Sequence, residues 1–380
     1  MKIVFIYRHF TATGGVERIL IDKANYLVHQ GHTVAIVTFE QGQHPFAFGL
    51  DEKIEHYELD CRRFTLYKYP IYLRVVKLWQ MNRRFIRRWN AYVQKSKPDL
   101  VVATTNSGDF LREILTARDK ANIVVESHTA FIYDMGSKSL IRKLWLKRYI
   151  HIVKRSKMII SLTQGDSQFW IEQGAKHVIV LPNPLTLYPD IINDVEKIPC
   201  RIIFAGRFDK VKRIDLLVSA FSLVIEKYPE WFIDIYGEGE EREHIERFIA
   251  TKHMEKHIKI QNPTRDIYTE YMKSQFLVLC SKYEGFGLVL IEAMSCGIPC
   301  VSFDCPYGPQ EIIKDHYNGL LARDGDVNDL ASKIEWMISH NDERQNMGLN
   351  ARRYVAKYRK EGVMKDWENA YKALIVDNMA

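Results

Sequence analysis

Short apolar runs alternate along the chain with longer stretches whose apolar positions recur at helical spacing. Ile3–Tyr7, Thr33–Thr38, Leu100–Thr104, Ile123–Glu126, Met158–Ser161 and Val178–Leu181 are rich in Val and Ile and continuous rather than alternating. Strands covered on both faces read this way, which predicts parallel sheet flanked by helices such as Glu17–His29. Pro182-Asn183-Pro184 and then Tyr188-Pro189-Asp190 interrupt the pattern with the residues of a connection. A second series starts at Arg201-Ile202-Ile203-Phe204-Ala205 and continues near Phe232–Tyr236, Ile258–Gln261, Phe276–Leu279 and Cys300–Ser302. The expected architecture is α/β, with two Rossmann-like, doubly wound domains facing across a cleft. The expected divisions are residues 1–186, 187–360 and a terminal helix over 361–380, which closes the second domain or crosses back onto the first.

The 380 residues are too many for one ordinary core, and 47% apolar with 27% charged residues suits soluble globular domains. The apolar run at the start ends at Arg8-His9, too early for a signal peptide. No stretch approaches the ~18 apolar residues of a membrane-crossing helix. The expected location is cytoplasmic, with peripheral attachment at the inner face of the cell membrane. Six cysteines include no C-x-x-C pair, and Cys280, Cys296 and Cys300 lie in or beside apolar segments. They read as buried, inert thiols rather than a metal or redox site.

Candidate chemistry gathers in the second half. Strand Ile202–Ala205 runs into Gly206-Arg207-Phe208-Asp209-Lys210-Val211-Lys212-Arg213. In open α/β sheets the loops after strand C-termini form the ligand crevice. Arg207, a planar fork, and Lys212, a point charge, suit two phosphates there, although a solvated basic turn would hold the same residues. Glu284 lies in a glycine-containing loop and Glu292 on the helix that follows. Gly285-Phe286-Gly287 opens that helix, whose free N–H groups favour an anion. Gly14-Gly15 after the first strand suggests a second such grip, and a tight strand-to-helix turn explains the pair equally well. Gly237-Glu238-Gly239 lacks the third glycine of a dinucleotide fingerprint and reads as a turn. Asp324-Gly325-Asp326 has the spacing of a metal-binding D-x-D but precedes a helical run, so it reads as a helix cap.

Gly206-Arg207 with Lys212, the Glu284/Glu292 pair, Asn183-Pro184 and Gly14-Gly15 together resemble glycosyltransferase family 4. These are retaining enzymes of the GT-B fold, here of the bacterial surface-polysaccharide or lipid-linked oligosaccharide type, lipopolysaccharide and capsule included. The likeness spans nearly the whole chain and is most specific over Ser281–Pro299. It implies that Arg207 and Lys212 hold the donor diphosphate and that Glu292 accepts from the ribose hydroxyls. It further implies that Glu284 contacts the transferred sugar, with the backbone of Phe286, Gly287 and Leu288 beside sugar and phosphates. Gly15 would approach the diphosphate from the opposite domain, and His128 would stand beside the sugar, where a polar strand-end residue is the plainer account. Asn262 and Pro263, in Gln261–Arg265, would meet the base through backbone. The family often has glycine where Arg213 stands; Arg213 either adds a phosphate contact or faces solvent.

The expected reaction is retaining transfer of a hexose or N-acetylhexosamine from a nucleotide-diphosphate sugar, a UDP-sugar by resemblance, to a glycan or lipid-linked acceptor. No cofactor, metal or protein nucleophile is required. A sugar-nucleotide epimerase or hydrolase, or a non-catalytic nucleotide-sugar-binding subunit, remains as an alternative.

Charge adds an expectation about partners. From Asp60 to Asp99 no acidic residue intervenes. At ~100° per residue Arg74, Lys77, Arg84, Arg88 and Lys95 share one helical face. Val75, Leu78, Trp79, Phe85, Ile86, Trp89 and Val93 share the neighbouring one, expected to be core. A second basic cluster carries Trp145 and Tyr149. Segments 62–97 and 142–157 therefore suit an anionic membrane surface, with a solvated charged face as the alternative. Nothing predicts nucleic-acid binding, since no recognition fold is readable.

Overall fold

The structure, a computed structural model, describes residues 1–116, 122–131, 139–192 and 194–376. It divides into two compact units. One is Met1–Pro182 together with the chain from Val363 onward; the other is Asn183–Gly362.

Among its described residues unit 1 carries seven strands: β1 (Lys2–Tyr7), β2 (Thr33–Thr38), β3 (Glu55–Glu58), β4 (Leu100–Thr104), β5 (Asn122–Ser127), β6 (Met158–Ser161) and β7 (Val178–Val180). They pair in the order β3-β2-β1-β4-β5-β6-β7, every pair parallel. The helices are α1 (Gly15–His29), α2 (Ile71–Ser96), α3 (Leu111–Leu115), α4 (Leu140–Val153) and α5 (Gln164–Glu172). Ile3, Val4, Phe5 and Ile6 of β1 are buried, as the continuous apolar run requires of a central strand.

Unit 2 carries β8 (Arg201–Ala205), β9 (Phe232–Tyr236), β10 (Ile258–Gln261), β11 (Phe276–Leu279), β12 (Cys300–Phe303) and β13 (Gly319–Ala322), in the order β10-β9-β8-β11-β12-β13 and again all parallel. Its helices are α6 (Ile214–Val224), α7 (Arg242–Thr251), α8 (Ile267–Met272), α9 (Leu288–Ser295), α10 (Gly308–Ile312), α11 (Val327–Ser339) and α12 (Asn341–Val355). Strand order reverses direction between β1 and β4 in one sheet and between β8 and β11 in the other. Ligand crevices open at such switch points.

The last helix, α13 (Lys360–Val376), buries Val363, Met364, Trp367 and Tyr371 as one stripe. Its Trp367 Nε1 donates to the Pro182 carbonyl (2.9 Å), and His32 Nε2 meets Glu368 Oε1 (2.9 Å).

One expectation fails in α2. Phe85, Trp89 and Val93 are buried as expected, but Val75, Trp79 and Ile86 are exposed. At ~1.5 Å per residue the 26-residue helix is about 39 Å long, whereas strands of three to six residues span roughly 10–20 Å. Its C-terminal end is anchored just before β4, so its first half stands beyond the sheet, where it meets the short helical segment Arg63–Lys68. This accounts for Val75 and Trp79 but not for Ile86, which lies in the second half.

Candidate active site

β8 and β11 lie side by side, and the loops leaving their C-terminal ends supply the charged residues. The loop after β8 is shaped by glycines opposite it. Gly206 N donates to Tyr236 O (3.0 Å) and Phe208 N to Glu238 O (2.7 Å). A Cβ on Gly237 would stand 2.0 Å from Gly206 O, and one on Gly239 2.3 Å from Phe208 O. Gly237-Glu238-Gly239 is not the turn expected of it: Gly237 and Glu238 run on irregularly from β9 to a bend at Gly239, and the glycines admit the neighbouring backbone.

Asp209, which the sequence reading passed over, folds the rest of that loop. Its Oδ1 accepts from Val211 N (3.0 Å) and Lys212 N (3.2 Å), and its Oδ2 from Arg207 Nε (2.8 Å). An aspartate accepting from backbone two and three residues on is an ordinary turn former, the one signal the sequence offered. Arg207 is otherwise exposed, while Lys212 points inward.

Lys212 Nζ donates to Glu284 Oε1 at 2.6 Å, and Ser281 Oγ donates to the same oxygen at 2.6 Å. The two loops are also joined through backbone, Lys282 N to Val211 O (2.7 Å). Glu284 itself bridges Tyr307, a non-glycine residue at φ +81. Held strain of this kind concentrates at functional sites. The next residue, Gly308, has no room for a side chain: a Cβ would lie 2.1 Å from Phe286 O.

Arg213 does not face solvent. Its Nε donates to Cys280 O (3.0 Å), its Nη2 to Ser281 O (2.7 Å), and it pairs with Asp324. The guanidinium is turned into the protein, where it fixes the segment leading to Glu284. With Asp324 so engaged and Asp326 accepting from Asp329 N (3.0 Å) at the start of α11, both aspartates of the D-x-D have structural partners.

Gly287, at φ +94, caps α9, a conformation that favours glycine. Phe286 is buried edge-on against Tyr358, with ring centroids 5.6 Å apart, so only its backbone faces the loop. Leu288 is half-buried as the first helical residue. Glu292, 7% exposed, lies one helical stretch further in; Tyr271, kept protonated by burial and by Glu292, donates to Glu292 Oε2 at 3.4 Å. Burial also holds the Cys280 thiol up, to about 12, in keeping with an inert cysteine. Asn262 and Pro263 are exposed after β10, the edge strand two places from β8, and Asn262 Oδ1 accepts from Arg242 (3.2 Å). No contact joins them to Lys212 or Glu284 among the described residues.

In unit 1, Gly15 opens α1 after an extended Gly14. Glu17 reaches back over that helix start and accepts from Tyr7 Oη (3.0 Å). The partial positive charge of the helix end therefore already has an acidic side chain beside it. His128 follows β5, but its side chain is only 2% exposed. Its ring is turned inward, with Nε2 2.9 Å from Glu126 Oε2. Glu126 also accepts from Lys23 Nζ (2.8 Å) and Tyr371 Oη (3.0 Å), and Lys23 sits 3.1 Å above the Trp367 ring. Burial raises the Glu126 carboxyl, but Lys23 and the His128 hydrogen bond outweigh it and hold the group down to about 2. Burial lowers the Lys23 ammonium to about 8 against the attraction of Glu126. At neutral pH both stay charged.

The family model described as Glycosyltransferase Family 4 matches residues 13–187, and that described as Glycosyl transferases group 1 matches residues 193–354. An uncharacterized glycosyltransferase of Haemophilus influenzae is 26% identical over 369 residues, 97% of this chain and 99% of that one. A GalNAc-alpha-(1->4)-GalNAc-alpha-(1->3)-diNAcBac-PP-undecaprenol alpha-1,4-N-acetyl-D-galactosaminyltransferase of Campylobacter jejuni is 25% identical over 374 residues, 97% of each chain. Sucrose-phosphate synthase from Thermosynechococcus elongatus shares the fold at a TM-score of 0.80, covering 99% of each chain at 19% identity. The chain therefore belongs to the hexosyl-transferring glycosyltransferases of the GT-B fold, family 4 in its first unit and group 1 in its second.

Proposed function

We propose that the protein transfers a hexose or N-acetylhexosamine, with retention at the anomeric carbon, from a UDP-sugar to a glycan or lipid-linked sugar in the assembly of a surface polysaccharide. The observation that carries the donor reading is the 2.6 Å contact between Lys212 Nζ and Glu284 Oε1 at the β8/β11 switch point, with Arg207 exposed beside it. Without donor the two charges satisfy each other. A diphosphate gives Lys212 and Arg207 an anionic partner and leaves Glu284 to accept from sugar hydroxyls. The C–O bond to the diphosphate then breaks and the bond to the acceptor oxygen forms on the same face. The acceptor proton passes to the departing phosphate oxygen. Fixed positive groups aimed at charge that builds in the transition state contribute about 2.7–4 kcal/mol each. Arg207→Ala and Lys212→Ala should each lower turnover at least tenfold while leaving the unfolding midpoint close to normal. Near-normal turnover in both variants would remove the diphosphate assignment.

The acceptor reading draws on the printed activity of the Campylobacter relative, which acts on an undecaprenol-diphosphate-linked sugar. It draws also on the basic segments 62–97 and 142–157, each cation near an anionic surface contributing ~1 kcal/mol. No helix among the described residues is long and apolar enough to cross a membrane. Attachment to the inner face would accordingly be peripheral. UDP release measured with and without a lipid-linked acceptor tests the whole: release that needs the acceptor supports transfer, and equal release without it points to hydrolysis.

A further inference from the structure

Two helix starts in unit 1 expose what should be buried. In α2, Ile71 (78% exposed), Tyr72, Val75 (73%) and Trp79 form a stripe at helical spacing that nothing among the described residues covers. In α4, Leu140, Ile141 (82%), Leu144 and Trp145 do the same, while Leu146, Tyr149, Ile150 and Val153 further along are buried. In both helices the buried apolar positions all lie beyond the first part, from Phe85 in α2 and from Leu146 in α4. Soluble surfaces seldom leave clusters of this size open without a use.

The topology places both starts together. A helix linking parallel strands returns antiparallel to them, so its beginning lies at the strands' C-terminal edge. The chain moves in the same direction across the sheet through β3-α2-β4 and β5-α4-β6. Right-handed crossovers then put α2 and α4 on one face, and α3 packs between them against both. The two apolar starts therefore flank the edge at which Gly15 and His128 also lie.

Charge identifies the occupant. Lys68, Arg74, Lys77 and Arg83 surround the α2 stripe, and none pairs with a carboxylate among the described residues. Lys143, Lys147 and Arg148 do the like on α4, exposed among its apolar positions. Tyr67, Tyr72, Trp79 and Trp145 have an apolar body with a polar tip, the form enriched at the boundary of water and lipid. Apolar ridge, aromatic belt and basic rim together match an anionic bilayer, whereas a second copy of this chain would bring the same positive charge against itself.

We infer that the first halves of α2 and α4 insert their apolar side chains into the headgroup region of an anionic membrane, beyond the attraction of basic charge for its surface. The inference deepens the membrane reading proposed above and depends on it for the purpose of docking, not for the docking itself. Electrostatic attachment is screened by salt and insertion is not, which makes the two separable.

The test uses the full chain with vesicles of phosphatidylcholine alone or mixed with phosphatidylglycerol, at low and high salt, without donor or acceptor. The expected result is co-sedimentation with the mixed vesicles that persists at high salt. A blue shift of tryptophan emission should accompany it and shrink in Trp79→Phe. In the double variant Val75→Glu, Ile141→Glu the high-salt fraction should fall at least tenfold, while stabilisation by UDP, which reports the donor reading separately, is retained. Binding that high salt abolishes, with no emission shift, would leave surface attraction only and overturn insertion. So would a self-association in solution that the double variant dissolves, since the stripe would then be covered by a second copy.

Discussion

At φ +46 Arg213 occupies a backbone region that long side chains seldom adopt, which suits the glycine its family often has there. Its guanidinium compensates by binding two carbonyls and Asp324 at once, a geometry a planar fork makes and an ammonium does not. Arg213→Lys should therefore cost roughly 1.5–3 kcal/mol, the range for hydrogen bonds to charged groups. It should also lower turnover at least tenfold, because the segment holding Glu284 loosens. Full turnover in the lysine variant, measured beside its urea midpoint, would mean that charge alone matters there. Lys212 and Glu284 were legible from residue type and spacing. Asp209, Arg213 and Tyr307 were not, since what they do depends on backbone brought close from other loops.

Among elements, the central strands could be read because their Val- and Ile-rich runs are continuous. β3 (Glu55-His56-Tyr57-Glu58) escaped notice: an edge strand largely open to water needs no apolar run. β13 is four residues beginning with glycine, a residue depleted in strands. The apolar positions of α2 were assigned to one face correctly, but period says which residues share a face and not what covers it. α11 gives a test at this scale. Asp326→Ala removes its cap and should cost about 0.5–2 kcal/mol in thermal or urea unfolding with turnover unchanged. Turnover that falls in the variant and in the presence of a chelator would restore a metal role.

For the molecule as a whole, the buried Lys23–Glu126 pair ties distant parts of the sequence into one core. Tyr371→Phe leaves Glu126 Oε1 without that donor and should destabilise by about 1–3 kcal/mol. The carboxyl lies at about 2 in the folded protein against 4.5 unperturbed. Its contribution is thus complete above roughly pH 4.5 and is lost as pH falls toward about 2. Between about pH 5 and about pH 3 the urea midpoint of the wild type should fall more steeply than that of Glu126→Gln; equal slopes would mean that other groups carry acid sensitivity. The same pair has a consequence for biosynthesis. Lys23 and Glu126 leave the ribosome well before Trp367 and Tyr371, the latter lying 245 positions beyond Glu126. The portion from Asn183 to Gly362, though made later than most of its companion, can finish first, and the half that is started first stays open until Trp367 and Tyr371 have been made.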